Sequence, residues 1–294
     1  MRHAQLSESD CAIAQALAVV GDWWSLLVVR DIAGGVHRFD DLRDESGISR
    51  KVLARRLVSL VERGILEKRL YSVRPPRFEY YLTPSGRGLI PVLVALQDWG
   101  SRFLLGDGAL TATAEPASFE ARRLRRLVGT KIPPLRLRDT SGRPRDPVAD
   151  APWTLLYCYP GAYTAAAAYP PGWNGIPGAA GCTLEANGFR ERAAGLASRG
   201  ARVVGVSTQR PDEQAAFMRK QRLPFVLLSD QELELAAALR LPTFRAGGGE
   251  RLKRVTLLVD ETREIRGVLY PVPDPAAAAA EALRLLEAEL AAAG

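Results

Sequence analysis

The chain has 294 residues with 40 Lys+Arg, 33 Asp+Glu and 2 His, long enough for two domains that each bury a core of their own. At 47% hydrophobic and 25% charged, its composition excludes a disordered, fibrous or disulfide-scaffold protein, and a net charge of +7 leans toward an anionic partner. No apolar run reaches the roughly 18 to 20 residues of a membrane span, and the opening MRHAQLSESD has no apolar signal-peptide core, so a cytoplasmic protein without a membrane partner is expected.

In chain order, apolar residues recur at helical spacing through 7–20, Gly21 interrupts them, and the period resumes in WWSLLVVRDIA before Gly34 and Gly35. A short helix at RFDDLRD precedes Gly47. The next segment, ISRKVLARRLVSLVERG, places Ile48, Val52, Leu53, Leu57, Leu60 and Val61 on one face, with Arg50, Lys51, Arg55, Arg56 and Arg63 elsewhere and Ser49 as its N-cap. ILEKRLY and RFEYYLT alternate with period two around SVRPP, which predicts a hairpin with Pro75 and Pro76 in its turn. The amphipathic helix SGRGLIPVLVALQDWGSRFL closes the segment.

Helix, turn, basic helix and hairpin is the order of a winged helix-turn-helix, an α+β domain whose second helix enters the major groove of double-stranded DNA. Ser49, Arg50, Lys51, Arg55 and Arg56 are the expected groove-facing set, and Arg74 and Arg77 flank the hairpin turn as backbone-phosphate contacts. A cationic face opposite an apolar stripe is often only solvated. Here five basic residues meet the single acid Glu62 between positions 48 and 63, and the ordered run of elements favours the DNA reading.

Residues 106–126 open with small residues and end in the cluster Arg122, Arg123, Arg125 and Arg126, which reads as a linker with a short helix. From KIPPLRL onward, strands alternate with helices: strand TLLYCY, a helix from Cys182, strand ARVVGVS, helix PDEQAAFMRKQ, strand PFVLLS, helix QELELAAAL, strands KRVTLLVD and IRGVLY, and an Ala-rich terminal helix. That order predicts an α/β sandwich with a partly parallel sheet. The expected organisation is therefore domain 1–105, linker 106–126 and domain 127–294.

The first domain resembles the HxlR-type winged-helix regulators of bacteria. Cys11, ALAVVGDWW, VHRFDDLRDESGISRKVLARRLVSLVERGILEKR, VRPPRFEYYLTPSGRGL and ALQDWG carry the likeness over about residues 11 to 100. The resemblance implies a homodimer, paired through the first and last helices, on a pseudo-palindromic operator. Asp22 departs from the pattern, standing where a Lys usually precedes the Trp.

Chemistry in the second half has few carriers. Both histidines, His3 and His37, lie near the N-terminus, so residues 38–294 alone supply neither a Ser-His-Asp triad nor a His-based metal site. Cys11, Cys158 and Cys182 are widely spaced with no CxxC pair, and no metal or cofactor is expected. Cys182 follows a Gly-rich turn and opens a helix, where backbone N–H groups and the helix dipole favour thiolate. A thiol with pKa about 8.5 is about 3% ionised at pH 7, whereas one lowered to about 6 is about 90% ionised.

This second half resembles the peroxiredoxins of the atypical Q-type group, which implies a thioredoxin-like fold. The likeness rests on KIPPLRLRDTSG, TLLYCYP, GWNGIPGAAGCTLEANGFRE, GARVVGVSTQ, LPFVLLSD, LRLPTF and KRVTLLVD. It implies that Cys182 is the peroxidatic cysteine and Arg254 the arginine that stabilises its thiolate. The usual Thr and Pro before that cysteine are replaced by Ala179 and Gly175, with a displaced pair, Pro160 and Thr164, across an insert; Thr164 is the expected substitute. The second cysteine of Q-type members is replaced by Asn187, so a sulfenic acid at Cys182 needs Cys158, Cys11 or an external thiol reductant to resolve it. Together the halves suggest a peroxide-responsive transcriptional regulator. The alternative is a thiol peroxidase with an accessory autoregulatory DNA-binding domain.

Overall fold

The structure is a computed structural model that describes residues 10–165 and 168–293; His3 and the start of the first helical segment lie outside the described residues. Two compact units divide the chain, Met1–Leu93 and Val94–Gly294.

The first unit begins with α1 (Ala12–Val20), α2 (Trp23–Ala33), α3 (Phe39–Ser46) and α4 (Arg50–Glu62), continues through β1 (Leu66–Val73), β2 (Pro76–Leu82) and the single turn α5 (Pro84–Arg87), and reaches the start of α6 (Ile90–Phe103). Gly47, in the left-handed region at φ 67°, ends α3, and the Ser49 side chain accepts from Val52 N to start α4. Between them the chain turns sharply, and Leu53, Leu57 and Leu60 of α4 then face Val28, Val29, Ile32 and Leu42 in one buried cluster. Full burial of each such leucine contributes roughly 1.5 to 3 kcal/mol, so this stripe fixes which face of α4 remains outside. The hairpin register runs from Leu66 opposite Leu82 to Val73 opposite Pro76. Its turn is therefore Arg74–Pro75, and Pro76 opens β2 instead of lying in the turn.

The second unit holds α7 (Phe119–Arg125), β3 (Leu137–Asp139), β4 (Pro144–Arg145), β5 (Trp153–Cys158), a 3-10 turn at Trp173–Gly175, α8 (Cys182–Ser198), β6 (Ala201–Ser207), α9 (Pro211–Gln221), β7 (Val226–Ser229), α10 (Glu234–Ala238), the hairpin β8 (Thr243–Ala246) and β9 (Gly249–Leu252), β10 (Val255–Asp260), β11 (Ile265–Leu269) and α11 (Ala278–Ala293). Seven strands form one sheet in the order β11-β10-β5-β6-β7-β3-β4. Strands β5, β6 and β7 run parallel because α8 and α9 carry the chain back between them, whereas β10 is antiparallel to β5. Alternation along β5 sends Leu155 and Tyr157 into the cluster with Cys182, Ala186 and Phe189 of α8 and Ala279, Ala282 and Leu286 of α11. Phe189 stacks on Tyr157 with ring centroids 4.6 Å apart.

Two features differ from the sequence expectation. The segment 106–126 packs into the second unit, where Ser118 caps α7 and Glu120, Ala121 and Leu124 are buried, and the division between units falls inside α6. The small residues and arginines suggested a linker with a short helix, because the buried residues Ala112, Ala121 and Leu124 are too widely spaced in 106–126 to show a period. Strands β3, β4, β8 and β9 were also not legible: each has four residues or fewer and, unlike the equally short β7, none carries an apolar run, their sequences being LRD, PR, TFRA and GERL.

Candidate thiol site and candidate nucleic-acid interface

Cys182 is the first residue of α8 and follows Gly181, whose φ of 101° lies in the left-handed region; a Cβ there would stand 2.7 Å from Pro275. The backbone needs glycine at this corner to aim the thiol inward, and Cys182 is only 4% exposed. Arg254, immediately before β10, reaches the sulfur from the sheet: its Nη2 donates to Cys182 Sγ at 3.3 Å, to Ala179 O at 3.1 Å and to Ala180 O at 2.6 Å, while Nη1 donates to Glu185 Oε2 at 2.5 Å. The Cys182 thiol donates to Ala179 O at 3.7 Å. One guanidinium thus ties the thiol, its preceding loop and a carboxylate one helical turn later.

Burial, two charges and one backbone dipole compete at the sulfur. Burial pushes the Cys182 thiol up, Arg254 pulls it down, Glu185 pushes it up, and the Gly161 N–H pulls it down; burial prevails. This reverses the lowered pKa that the helix-start position suggested, because that reading had no access to the depth of the pocket. Glu185 is itself fully buried, and desolvation carries its carboxyl up to about 7 against the pull of Arg254. Among the described residues, Arg254 Nε and Glu185 Oε1 are buried without hydrogen-bond partners, leaving one donor and one acceptor uncommitted on the two side chains paired at this site.

Thr164 is not part of this cluster. It is exposed, and its carbonyl accepts from Lys220 Nζ at 2.6 Å. The stretch after β5 contributes the Gly161 N–H instead. The neighbouring Ala162 is clamped by Gln209, whose Oε1 accepts from Ala162 N at 2.7 Å and whose Nε2 donates to Ala162 O at 3.0 Å. Cys158 is buried on β5, but the period-two alternation turns it to the face opposite Tyr157 and the Cys182 cluster, and burial raises its pKa strongly. Cys11 is exposed at the N-cap of α1 in the first unit. Glu185, Gly161 and the Ala179 and Ala180 carbonyls are the site groups that sequence reasoning missed.

On the first unit, Arg50, Lys51 and Arg55 of α4 are exposed, as are Arg74 and Arg77 at either side of the hairpin turn. Arg50 lies 3.6 Å from Asp40 and 5.2 Å from the centre of the Phe39 ring. Arg56 points elsewhere: its Nε is 3.1 Å from Asp22 Oδ1, and the same aspartate caps α2 by accepting from Ser25 N at 3.0 Å. The aspartate that stands where a lysine is usual therefore draws one expected groove cation into an intramolecular pair. Ser49 serves as the helix cap.

A winged helix-turn-helix unit joined to a sheet-and-helix unit with an arginine-held thiol defines a helix-turn-helix domain fused to a peroxiredoxin-like domain. The profile of the HxlR-like helix-turn-helix family matches residues 19–107, and that of the AhpC/TSA family matches residues 174–268. The uncharacterized HTH-type transcriptional regulator YtfH of Escherichia coli is 36% identical over 100 residues, 34% of this chain and 79% of the relative. An uncharacterized HTH-type transcriptional regulator of Mycobacterium tuberculosis is 42% identical over 93 residues, 32% of this chain and 59% of the relative's length. The crystal structure of peroxidoxin BcpB from Mycobacterium tuberculosis is similar at 29% identity and a TM-score of 0.45, covering 55% of this chain and 96% of that one. By its first domain the chain belongs to the HxlR-like helix-turn-helix family, and it carries an AhpC/TSA domain behind it.

Proposed function

We propose that the chain is a peroxide-responsive, DNA-binding transcriptional regulator of the cytoplasm, in which Cys182 reacts with a hydroperoxide and the first domain binds an operator as a homodimer. The observation that carries this reading is the 3.3 Å contact of Arg254 Nη2 with Cys182 Sγ in a chain that also presents Arg50, Lys51 and Arg55 on one helix. In the reaction, the thiolate sulfur attacks the distal peroxide oxygen, and an S–O bond forms as the O–O bond breaks. Sulfur is oxidised to the sulfenic acid, the peroxide is reduced to an alcohol or water, and that product takes the proton the thiol lost. Arg254 stabilises the thiolate, and its uncommitted Nε is a donor for a peroxide oxygen. A thiol then condenses with the sulfenic acid to give a disulfide and water. With Cys158 on the other face of β5, that thiol is Cys11 or a small reductant from solution.

For DNA, α4 lies in the major groove with Arg50, Lys51 and Arg55 toward it, and Arg74 and Arg77 reach phosphates beside it. Exposed Ile13 and Leu17 on α1, and exposed Val92, Leu96, Trp99 and Phe103 on α6, supply apolar faces for subunit pairing. The test is to treat the reduced chain with one equivalent of hydrogen peroxide and trap sulfenate with a dimedone-type reagent. Adduct on Cys182 supports the reading, and a Cys182 peptide that stays unmodified while Cys11 labels refutes it.

A further inference from the structure

The segment that follows α6 runs straight to the loop that carries Cys182. The end of α6 is closed by Gly108 N donating to Arg102 O at 2.9 Å and Arg102 Nε donating to Gly108 O at 2.6 Å. Four residues later, Ala112 N donates to Pro177 O at 2.8 Å, and Ala112 is buried in one cluster with Ala179, Trp173 and Phe244. A Cβ on Gly178 would meet Thr113 Cβ at 2.8 Å, so strap and loop are in van der Waals contact with no room between them. Lys253, the residue before Arg254, donates to Thr113 O at 3.4 Å and to Glu120 Oε1 of α7 at 3.1 Å. Strap 110–113 is thus fastened both to the loop before the thiol and to the neighbour of the arginine that holds it.

There is space for this strap to move. Thr113 borders two cavities, one of about 510 Å³ lined also by Asp98, Arg102, Glu120 and Phe244, and one of about 500 Å³ lined also by Pro177, Gly178, Ala180 and Pro275. Close packing on the thiol-side loop and open volume beside the strap are the conditions under which a segment can take a second, displaced arrangement.

We propose that strap 110–113 is the mechanical link between the thiol pocket and the C-terminal end of α6, the helix whose first turn belongs to the DNA-binding unit. The proposal rests on the peroxide reading above. An oxygen added to a sulfur that is 4% exposed and already 3.7 Å from Ala179 O cannot be housed without displacing the 179–181 loop. Ala179 packs in one buried cluster with Ala112, Ala112 N donates to Pro177 O in the same loop, and four residues earlier Gly108 is bonded to Arg102 on α6.

Because coupling is reciprocal, altering the strap must alter the thiol. In the full chain, Ala112→Leu overpacks the contact and Ala112→Gly loosens it; each is expected to raise the rate at which iodoacetamide alkylates Cys182 by about fivefold or more, the lower range of such couplings. If Ala112→Leu does not fold, Ala112→Gly decides. Unchanged rates overturn the proposal, and this arm involves no peroxide. In the second arm, hydrogen–deuterium exchange is followed on wild type and Cys182→Ser with and without peroxide. Faster exchange at 108–113 and 176–181 in wild type alone supports the link. Unchanged strap exchange in protein whose Cys182 has gained one oxygen overturns it. A Cys182 that gains no oxygen overturns the peroxide reading instead, and the alkylation arm still decides the coupling.

Discussion

Replacing Arg254 with lysine keeps a positive charge and removes the fork. The guanidinium serves Glu185, the Ala179 and Ala180 carbonyls and the Cys182 sulfur from two nitrogens, whereas an ammonium with a single nitrogen serves fewer of these at once. Each buried acceptor left without a donor costs about 1–3 kcal/mol, so losing two destabilises the second unit by about 3 kcal/mol or more. At about 2–4 °C per kcal/mol for a unit of this size, the thermal midpoint falls by about 6–12 °C. The thiol keeps a nearby positive charge but loses the Nη2 hydrogen bond that also opposes its burial, and each unit of upward pKa shift is a tenfold loss of thiolate. In a Cys11→Ser background, which removes the exposed thiol, the Cys182 peptide is quantified by mass spectrometry after iodoacetamide pulses across the pH range. Arg254→Lys is expected to alkylate about tenfold more slowly at pH 7, with its midpoint moved to higher pH. Wild-type rates with an unmoved midpoint would refute the claim that the fork geometry, and not charge alone, holds the thiolate.

Further expectations follow from the same geometry. Glu185 has its carboxyl raised to about 7 in the fold, so its contribution to stability is fully present below its unfolded value near 4.5 and is lost as pH rises through about 7. Glu185→Gln should flatten that slope of about 1.4 kcal/mol per pH unit in chemical denaturation, and should speed Cys182 alkylation above pH 7, where the carboxylate no longer repels the thiolate; an unchanged slope contradicts the assignment. Asp22→Ala removes the α2 cap and should cost about 1 kcal/mol, while freeing Arg56 to raise nonspecific DNA affinity. Arg50→Ala, Lys51→Ala and Arg55→Ala should each reduce the slope of log affinity against log salt by about 0.9 if each contacts one phosphate, and a slope unaltered in all three removes α4 from the interface. Leu96→Glu with Ile13→Glu should shift the chain from dimer to monomer in light scattering.

Legibility followed physical cause. The helices and parallel strands could be read because burial of Leu53, Leu57 and Leu60, or of Leu155 and Tyr157, imposes a period on the sequence. The place of Cys182 at a helix start was legible from the glycine before it, and the nearness of Arg254 came only through resemblance. Glu185 was not, because a glutamate in the first turn of a helix reads as a solvated dipole partner until the sheet is seen to cover it. The Gly161 donor is backbone and leaves no side-chain signature. Thr164 was expected by analogy of spacing, but the insert that separates it from Cys182 leaves it exposed. Arg56 looked like its neighbours on α4 until Asp22, distant in sequence, was placed beside it.

The central claim is that oxidation at Cys182 changes DNA binding by the first domain. Fluorescence anisotropy of the full chain on DNA from its own upstream region, titrated with hydrogen peroxide to about one equivalent, tests it most directly. The expected result is a change in affinity for wild type that thiol reductant reverses, with Cys182→Ser binding equally well in both states. Equal binding by wild type before and after peroxide, in protein whose Cys182 is shown to be oxidised, would contradict the account and leave the thiol site to act independently of the DNA-binding domain.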